Sequence, residues 1–374
     1  MSFQQLNLIS PILSALDRKG YQTPTPVQEQ SIPYILEGRD IFGCAQTGTG
    51  KTAAFVLPLL QLLHTSKQHT KGPSVLILAP TRELAGQISE SIVDFGVNMK
   101  ITHTVIFGGV SQHAQTKSLS RNPDIIVATP GRLMDLMNQG YVRLNTIKYL
   151  VLDEADRMLD MGFIRDIRKI LAQTPAEKQC LFFSATATPE FNQLAGSMLK
   201  NPAKVAVSPV SSTATTVKQG VYYVRKEDKG RLLKHLINEE NISHAIVFTR
   251  TKRGADKVAK DLNQNGIKAE AIHGNKSQGA REKALSRFKN RNVQILVATD
   301  IASRGIDVNK LSHVINYEIP EQAETYVHRI GRTGRAGETG IALSFCTRDE
   351  MPYMKDINKL IKKNVEIIAQ HPFA

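Results

Sequence analysis

Ala45-Gln46-Thr47-Gly48-Thr49-Gly50-Lys51-Thr52 is the stretch on which the fold of this chain turns. The largely apolar run Asp40–Cys44 precedes it, and the helix-like run Ala53–Leu60 follows. Strand, glycine-rich turn, helix is the setting a phosphate loop requires. Gly48 and Gly50 let successive backbone N–H groups face one anion, and the helix N-terminus adds its positive end. Lys51 then reaches the β- and γ-phosphates of a nucleoside triphosphate, and Thr52 offers a hydroxyl to Mg²⁺. The strict motif opens on glycine where this chain has Ala45. An ordinary glycine turn has no need of Gly-Lys-Thr at a helix start.

Hydrolysis also needs an acidic partner at the end of a neighbouring strand. Tyr149-Leu-Val-Leu-Asp-Glu-Ala-Asp156 supplies four strand residues and then three carboxylates within four positions. Asp153 is placed to bind Mg²⁺, directly or through water, and Glu154 to polarise the attacking water. The competing reading is that these acids only cap the next helix, Arg157–Met161. Met158 and Met161 read as core.

Outward from these motifs, strands and helices alternate. Val75–Leu78, Ile125–Ala128, Tyr149–Leu152 and Cys180–Phe183 read as buried parallel strands. Glu83–Phe95, Arg132–Met137 and Pro189–Leu199 read as the helices between them. Such alternation predicts an α/β fold with a parallel sheet covered on both faces. It halts at the small polar stretch 208–216 and then restarts. Ala245–Phe248, Ala269–Ile272, Val293–Ala298, Val314–Tyr317 and Ile341–Phe345 are the next strands. Lys229–Asn238, Gly254–Asn265, Gly279–Phe288, Ala323–Ile330 and Pro352–Lys363 are the next helices. Two α/β domains in tandem are expected, 1–208 and 219–374, joined by a short flexible linker at 209–218.

Composition fits this. The 374 residues are 41% hydrophobic and 22% charged, ordinary for a soluble globular chain. No apolar run approaches the roughly 18–20 residues that span a bilayer. The N-terminus has no basic region followed by an apolar one, so no secretory signal is read. Cys44, Cys180 and Cys346 are widely spaced and suit neither a disulfide framework nor a zinc site. The expected location is the cytoplasm. Net charge is +14, and it is uneven. Residues 1–208 carry 20 basic against 16 acidic side chains, and residues 209–374 carry 28 against 18. A basic second half points to a polyanion, most simply nucleic acid.

Asp153-Glu-Ala-Asp156 resembles the signature of the DEAD-box ATP-dependent RNA helicases, and further motifs follow in that family's order. Gly20-Tyr-Gln-Thr-Pro-Thr-Pro-Val-Gln28 resembles its Q motif, with Phe3 as the isolated upstream aromatic. Pro80–Ala85, Gly108-Gly109, Thr129-Pro-Gly-Arg132 and Ser184-Ala-Thr186 resemble motifs of its first domain. Val247–Arg250, Gln278–Arg281, Ala298–Asp307 and His328-Arg-Ile-Gly-Arg-Thr-Gly-Arg335 resemble those of its second. The resemblance spans nearly the whole chain. Its compact Q-motif region and lack of inserts are most similar to the bacterial RhlE-type subgroup.

The resemblance implies two RecA-like domains and an RNA-stimulated ATPase with ATP and Mg²⁺ as cofactors. It implies that Gln28 reads adenine through both groups of its carboxamide, while Phe3 and Tyr21 pack against the ring. Gln46, Thr47, Gly48, Thr49, Gly50, Lys51 and Thr52 would hold the phosphates, and Asp300 and Asp307 would touch the ribose and the finger network. Arg332 and Arg335 become arginine fingers supplied from the second domain. His328 would couple to the carboxylates through Ser184 and Thr186. Hydrolysis then requires closure of the two domains, and RNA and ATP each favour the closed form.

For RNA, the resemblance implies contacts from Thr81, Arg82, Gly108, Gly109, Thr129 and Arg132 in the first domain. Thr249, Arg250, Gly274, Gln278, Arg281 and Thr299 would contact it from the second. Hydroxyls, arginines and glycine-flanked amides suit sugar–phosphate contacts, which position a strand without reading its sequence. No aromatic stacking ladder accompanies them. The expected partners are single-stranded and duplex RNA, with RNA–protein particles or degradation machinery beyond them; the chain is expected to be a monomer. Preference for RNA over DNA is not legible in the residues. A DNA helicase on the same architecture, or an ATP-dependent RNA clamp with little unwinding, would carry many of the same motifs.

Overall fold

The computed structural model describes residues 2–45, 48–66, 72–207, 217–300, 311–334 and 340–373. The chain divides into two compact units, Met1–Ser208 and Pro209–Ala374. Each is built on a seven-stranded sheet with only parallel pairings.

In the first unit the strands are β1 (Ile41–Ala45), β2 (Val75–Leu78), β3 (His103–Ile106), β4 (Ile125–Ala128), β5 (Tyr149–Leu152), β6 (Gln179–Ser184) and β7 (Ala203–Val207). Their order across the sheet is β3-β4-β2-β5-β6-β1-β7. Side chains alternate between two cores. Val75, Ile77, Val127 and Val151 face one, while Leu76, Leu78, Ile126 and Leu152 face the other. Apolar cover is needed on both faces, which is why these strands read as continuous apolar runs.

The second unit has β8 (Val217–Tyr223), β9 (Ala245–Phe248), β10 (Ala269–Ile272), β11 (Ile295–Ala298), β12 (His313–Asn316), β13 (Gly340–Cys346) and β14 (Glu366–Ile367). Their order is β10-β11-β9-β12-β13-β8-β14, the first unit's order advanced by seven strands. The same wiring is therefore used twice.

Four strands escape the apolar-run criterion. β3 carries His103 and Thr104, β7 carries Lys204, β8 carries Lys218 and Gln219, and β14 is two residues long. β8 also takes in Val217 and Lys218, which the sequence suggests as linker. Residues 208–216 of that stretch lie outside the described residues. β11 begins at Ile295 rather than Val293, and the last helix runs Met351–Ile361. Among the described residues no helix is long and apolar enough to cross a membrane.

In a parallel sheet all strand C-termini lie at one edge, and the loops leaving that edge form the site. Every motif quoted above as a strand-end sequence leaves its sheet there.

Candidate active site

In the first unit β5, β6 and β1 are neighbours, so the loops after Leu152, Ser184 and Ala45 open side by side. Gly48 and Gly50 have φ of 86° and 91°, in the left-handed region where a side chain is strained. Gly50 is the N-cap of the helix Lys51–Thr65, and a Cβ there would strike Gln28 and Thr25. Lys51 is buried, and its Nζ donates to the Ala45 carbonyl at 2.5 Å, so in this structure the lysine spans the mouth of the loop. Thr52 is half-buried, Thr49 likewise, and Gly48 is exposed. Gln46 and Thr47 lie outside the described residues.

Gln28 is 1% exposed and is the third residue of the helix Pro26–Leu36, in its first turn. Its Oε1 accepts from the Thr25 amide at 3.0 Å, and its Nε2 donates to the Gly50 carbonyl at 3.1 Å. The residue thus ties the Q-motif helix to the phosphate loop, with one N–H and one lone pair left for a base edge. Tyr21 is exposed and packs edge-on against Phe95 at 5.8 Å. Phe3 differs from its expected role: it is 2% exposed and belongs to the apolar core with Leu6 and Ile12, so it presents no open ring face here.

Asp153 and Glu154 follow β5 and are both buried. Burial pushes the Asp153 carboxyl up to about 7; Lys51 pulls against this and the Glu154 charge adds to it. A carboxylate so short of counter-charge fits a dication beside it. Among the described residues no three His, Cys, Asp or Glu side chains form a metal cage. Mg²⁺ is usually held by one or two protein oxygens together with phosphates and waters. Asp153 and Thr52 are the residues that would hold it. Glu154 has φ 51° and ψ 50°, a left-handed conformation unusual for glutamate, and its Oε2 lies 3.1 Å from Arg157 Nη1.

Asp156 is a site residue to which the sequence gives no role. Its Oδ2 accepts from the Ala185 amide at 3.2 Å, and from the Thr186 amide and hydroxyl at 2.9 and 2.8 Å. Ser184 donates to the Thr186 carbonyl at 2.6 Å. The carboxylate cluster and the Ser-Ala-Thr turn are therefore one hydrogen-bonded piece. The only sequence signal was the fourth letter of Asp-Glu-Ala-Asp.

The other half of the same sheet edge gathers a different set. Thr81 caps the helix Arg82–Phe95 after β2, accepting from Leu84 N at 3.3 Å. Thr129 begins the helix Pro130–Asn138 after β4. Gly109, after β3, has φ 78°, and a Cβ there would collide with the Arg82 guanidinium. Gly108 stands just beyond that guanidinium. Arg132 Nη1 donates to the Val110 carbonyl at 3.4 Å. Three loops distant in sequence thus meet in one hydroxyl- and arginine-bearing patch.

The second unit repeats the pattern on β10-β11-β9. Thr249 and Arg250 follow β9, Gly274, Gln278 and Arg281 follow β10, and Thr299 and Asp300 follow β11. Gln278 and Arg281 are buried at the start of the helix Gln278–Lys289, and Gly274 lies against Lys252. Arg250 is held by carboxylates: Nη2 donates to Glu350 at 3.0 Å, and Nη1 lies 3.6 Å from Glu321. Asp300 grips Arg329 with both oxygens, at 2.6 and 2.8 Å. Arg329, 2% exposed, also donates to Asn316 and to the Glu318 carbonyl and lies over the Phe248 ring. It was hidden in the sequence among the arginines of 328–335, although its place between Val327 and Ile330 on a buried helix face was a signal. His328 is half-buried and Arg332 is buried. Asp307 and Arg335 lie outside the described residues.

A strand-end glycine loop, a buried Asp-Glu pair and a Ser-Ala-Thr turn bonded to Asp156 stand together at one sheet edge. The DEAD/DEAH box helicase model matches residues 25–194, and the helicase conserved C-terminal domain model matches 228–337. The chain belongs to the DEAD-box ATP-dependent RNA helicases. It is 45% identical to the ATP-dependent RNA helicase CshA of Limosilactobacillus reuteri over 364 residues, covering 97% of this chain and 72% of the relative. Identity to CshA of Bacillus subtilis is 42%, covering 98% and 74%. Among solved structures, S. cerevisiae Dbp5 bound to RNA and ADP BeF3 matches with TM-score 0.88 and 30% identity, over 99% of this chain and 95% of that one. Mss116p bound to ssRNA and AMP-PNP matches with TM-score 0.90 and 27% identity, over 100% and 80%. Both units thus share the RecA-like fold of DEAD-box helicases. These relatives carry the CshA name, so the RhlE-type subgroup is not confirmed.

Proposed function

We propose that this DEAD-box enzyme hydrolyses ATP in response to RNA and uses the cycle to open short RNA duplexes locally, or to remodel RNA–protein particles, without reading sequence. One observation carries most of the weight. The edge of the first sheet is divided, with nucleotide residues on β1, β5 and β6 and the expected strand-binding residues on β2, β3 and β4 next to them. A ligand on one half therefore lies beside the loops that hold the other.

Within the site, Gly48, Gly50 and Lys51 bind the phosphates, and Gln28 selects adenine while bracing Gly50. Asp153 and Thr52 hold Mg²⁺, which when bound offsets the negative charge of the phosphates. Glu154 orients the attacking water. Asp156 carries any shift of these acids to Thr186. Arg332 and Arg335 supply the guanidinium charge that stabilises the transferring phosphoryl group, assisted by Asp300, Asp307 and His328. Thr81, Arg82, Thr129 and Arg132 hold one part of the strand, and Thr249, Gln278, Arg281 and Thr299 another. Support for RNA comes from the RNA-bound state of Dbp5 and Mss116p. We place the enzyme in the cytoplasm, as a monomer, with single-stranded and duplex RNA as its partners.

The deciding assay is ATP turnover with single-stranded RNA and with DNA of the same sequence, together with strand release from a short RNA duplex. RNA-specific stimulation with ATP-dependent release is expected. Equal stimulation by DNA would overturn the RNA assignment, and tight RNA binding without turnover would make the protein a clamp.

A further inference from the structure

Arg157 is 1% exposed and heads the largest fully buried side chains of the described residues. Its one ion-pair partner there is Glu154, itself only 3% exposed at the side chain. The Nη1–Oε2 distance is 3.1 Å, but neither atom meets hydrogen-bond alignment, and Arg157 Nε has no hydrogen-bond partner among the described residues. A guanidinium carries five donors, and burying it with so few partners is destabilising. An apolar side chain of similar volume would fill the space without that cost. The Glu154 backbone adds a second cost, since a left-handed glutamate is strained. Both costs converge on the orientation of one carboxylate.

We infer that Arg157 is a positioning residue, which fixes the rotamer of the Glu154 carboxylate so that it faces the attacking water. This rests on the assignment of Glu154 as the water-orienting group. The ion pair holds the Glu154 carboxylate on the Arg157 side and keeps it from swinging back towards Asp153. Arg157 touches neither nucleotide nor water itself and acts only through Glu154.

The test compares the full chain with Arg157→Met, Arg157→Lys, Glu154→Gln and the double variant Glu154→Gln/Arg157→Met. The readouts are RNA-stimulated kcat, KM for ATP, affinity for a fluorescent non-hydrolysable ATP analogue, and melting temperature. Misplacing a reacting group by about 1 Å costs roughly 100-fold, so Arg157→Met should lower kcat by about 10- to 100-fold. KM and analogue affinity should stay within a few-fold, and the melting temperature should hold or rise. Arg157→Lys should recover part of kcat. In single turnover the double variant should be no slower than Glu154→Gln alone. Multiplying losses in the double variant, or full kcat in well-folded Arg157→Met, would overturn the proposal. If Arg157→Met does not fold, Arg157→Lys decides: a kcat loss with unchanged analogue affinity supports the proposal, and an unchanged kcat overturns it. Fast hydrolysis by Glu154→Gln alone would instead remove the water-orienting assignment beneath it.

Discussion

The carboxylate of Asp156 receives both the amide and the hydroxyl of Thr186, at 2.9 and 2.8 Å. One oxygen thereby joins the loop after β5 to the loop after β6. Both residues lie near the phosphate loop, yet neither is needed to bind a phosphate. Their bonds tie the Asp-Glu-Ala-Asp segment directly to the Ser-Ala-Thr turn.

Asp156→Ala should leave the buried Ala185 amide and the Thr186 hydroxyl without their acceptor, while the Thr186 amide keeps Ser184 Oγ at 3.3 Å. Each orphaned group costs about 1–3 kcal/mol, so the first unit should melt several degrees lower. Duplexes opened per ATP hydrolysed should fall further than the hydrolysis rate itself. Thermal melting and parallel ATPase and strand-release assays check both; an unchanged ratio would remove Asp156 from the coupling route.

Glu154→Gln keeps the shape of the side chain and removes its charge. Hydrolysis should fall at least 100-fold, in the range general-base removal produces, while the ATP–RNA complex becomes long-lived. Filter binding with labelled RNA and ATP reads the lifetime. Rapid turnover would contradict the assignment.

Gln28→Ala removes both the helix cap and the bond to the Gly50 carbonyl. KM for ATP should rise about tenfold, a loss of roughly 1.4 kcal/mol, and the preference for ATP over GTP should shrink. Competition binding with the two nucleotides measures this. A raised KM with an unchanged ATP preference would mean that Gln28 only braces the loop.

Asp153 predicts a pH dependence whose sign follows from burial. Its carboxyl is raised to about 7, so between the ordinary carboxylate range and 7 the folded state holds a proton that the unfolded state has released. The Asp153 contribution to the stability of the nucleotide-free protein should therefore be fully present at acid pH and decline as pH rises through that window. Asp153→Asn should flatten this part of the profile. Melting curves from pH 5 to 8 provide the check, and Mg²⁺–nucleotide binding to the parent should release protons.

Asp300→Asn would leave the buried Arg329 guanidinium without its bidentate partner. The acid is a quarter exposed, 26% at the side chain, so water makes good part of the loss. A cost of about 2–3 kcal/mol, below the usual figure for a fully buried pair, is expected in denaturant unfolding of the second unit.

Much of the fold was legible because buried parallel strands are apolar throughout. Val75–Leu78, Ile125–Ala128, Ala245–Phe248 and Ala269–Ile272 were readable to the residue. β3, β7 and β8 were not, because polar residues break their apolar runs, and β14 has only two residues. In the site, phosphate-loop glycines announce themselves by local backbone chemistry. Asp156, Arg157 and Arg329 do not, because a buried charge is defined by the partner it meets, and those partners are remote or turned by an unusual backbone.

The expectation of a phosphate loop at Ala45–Thr52 with acidic partners at Asp153 and Glu154 came from sequence alone. Both depend on residue types at fixed short spacing. What the tertiary structure decided is the division of the sheet edge. Strand order β3-β4-β2-β5-β6-β1-β7 is not chain order, and it alone puts the three loops expected to hold nucleotide on one half and the three expected to hold an RNA strand on the other. Parallel pairing sends every loop to the same edge, and the crossovers between strands determine which loops become neighbours.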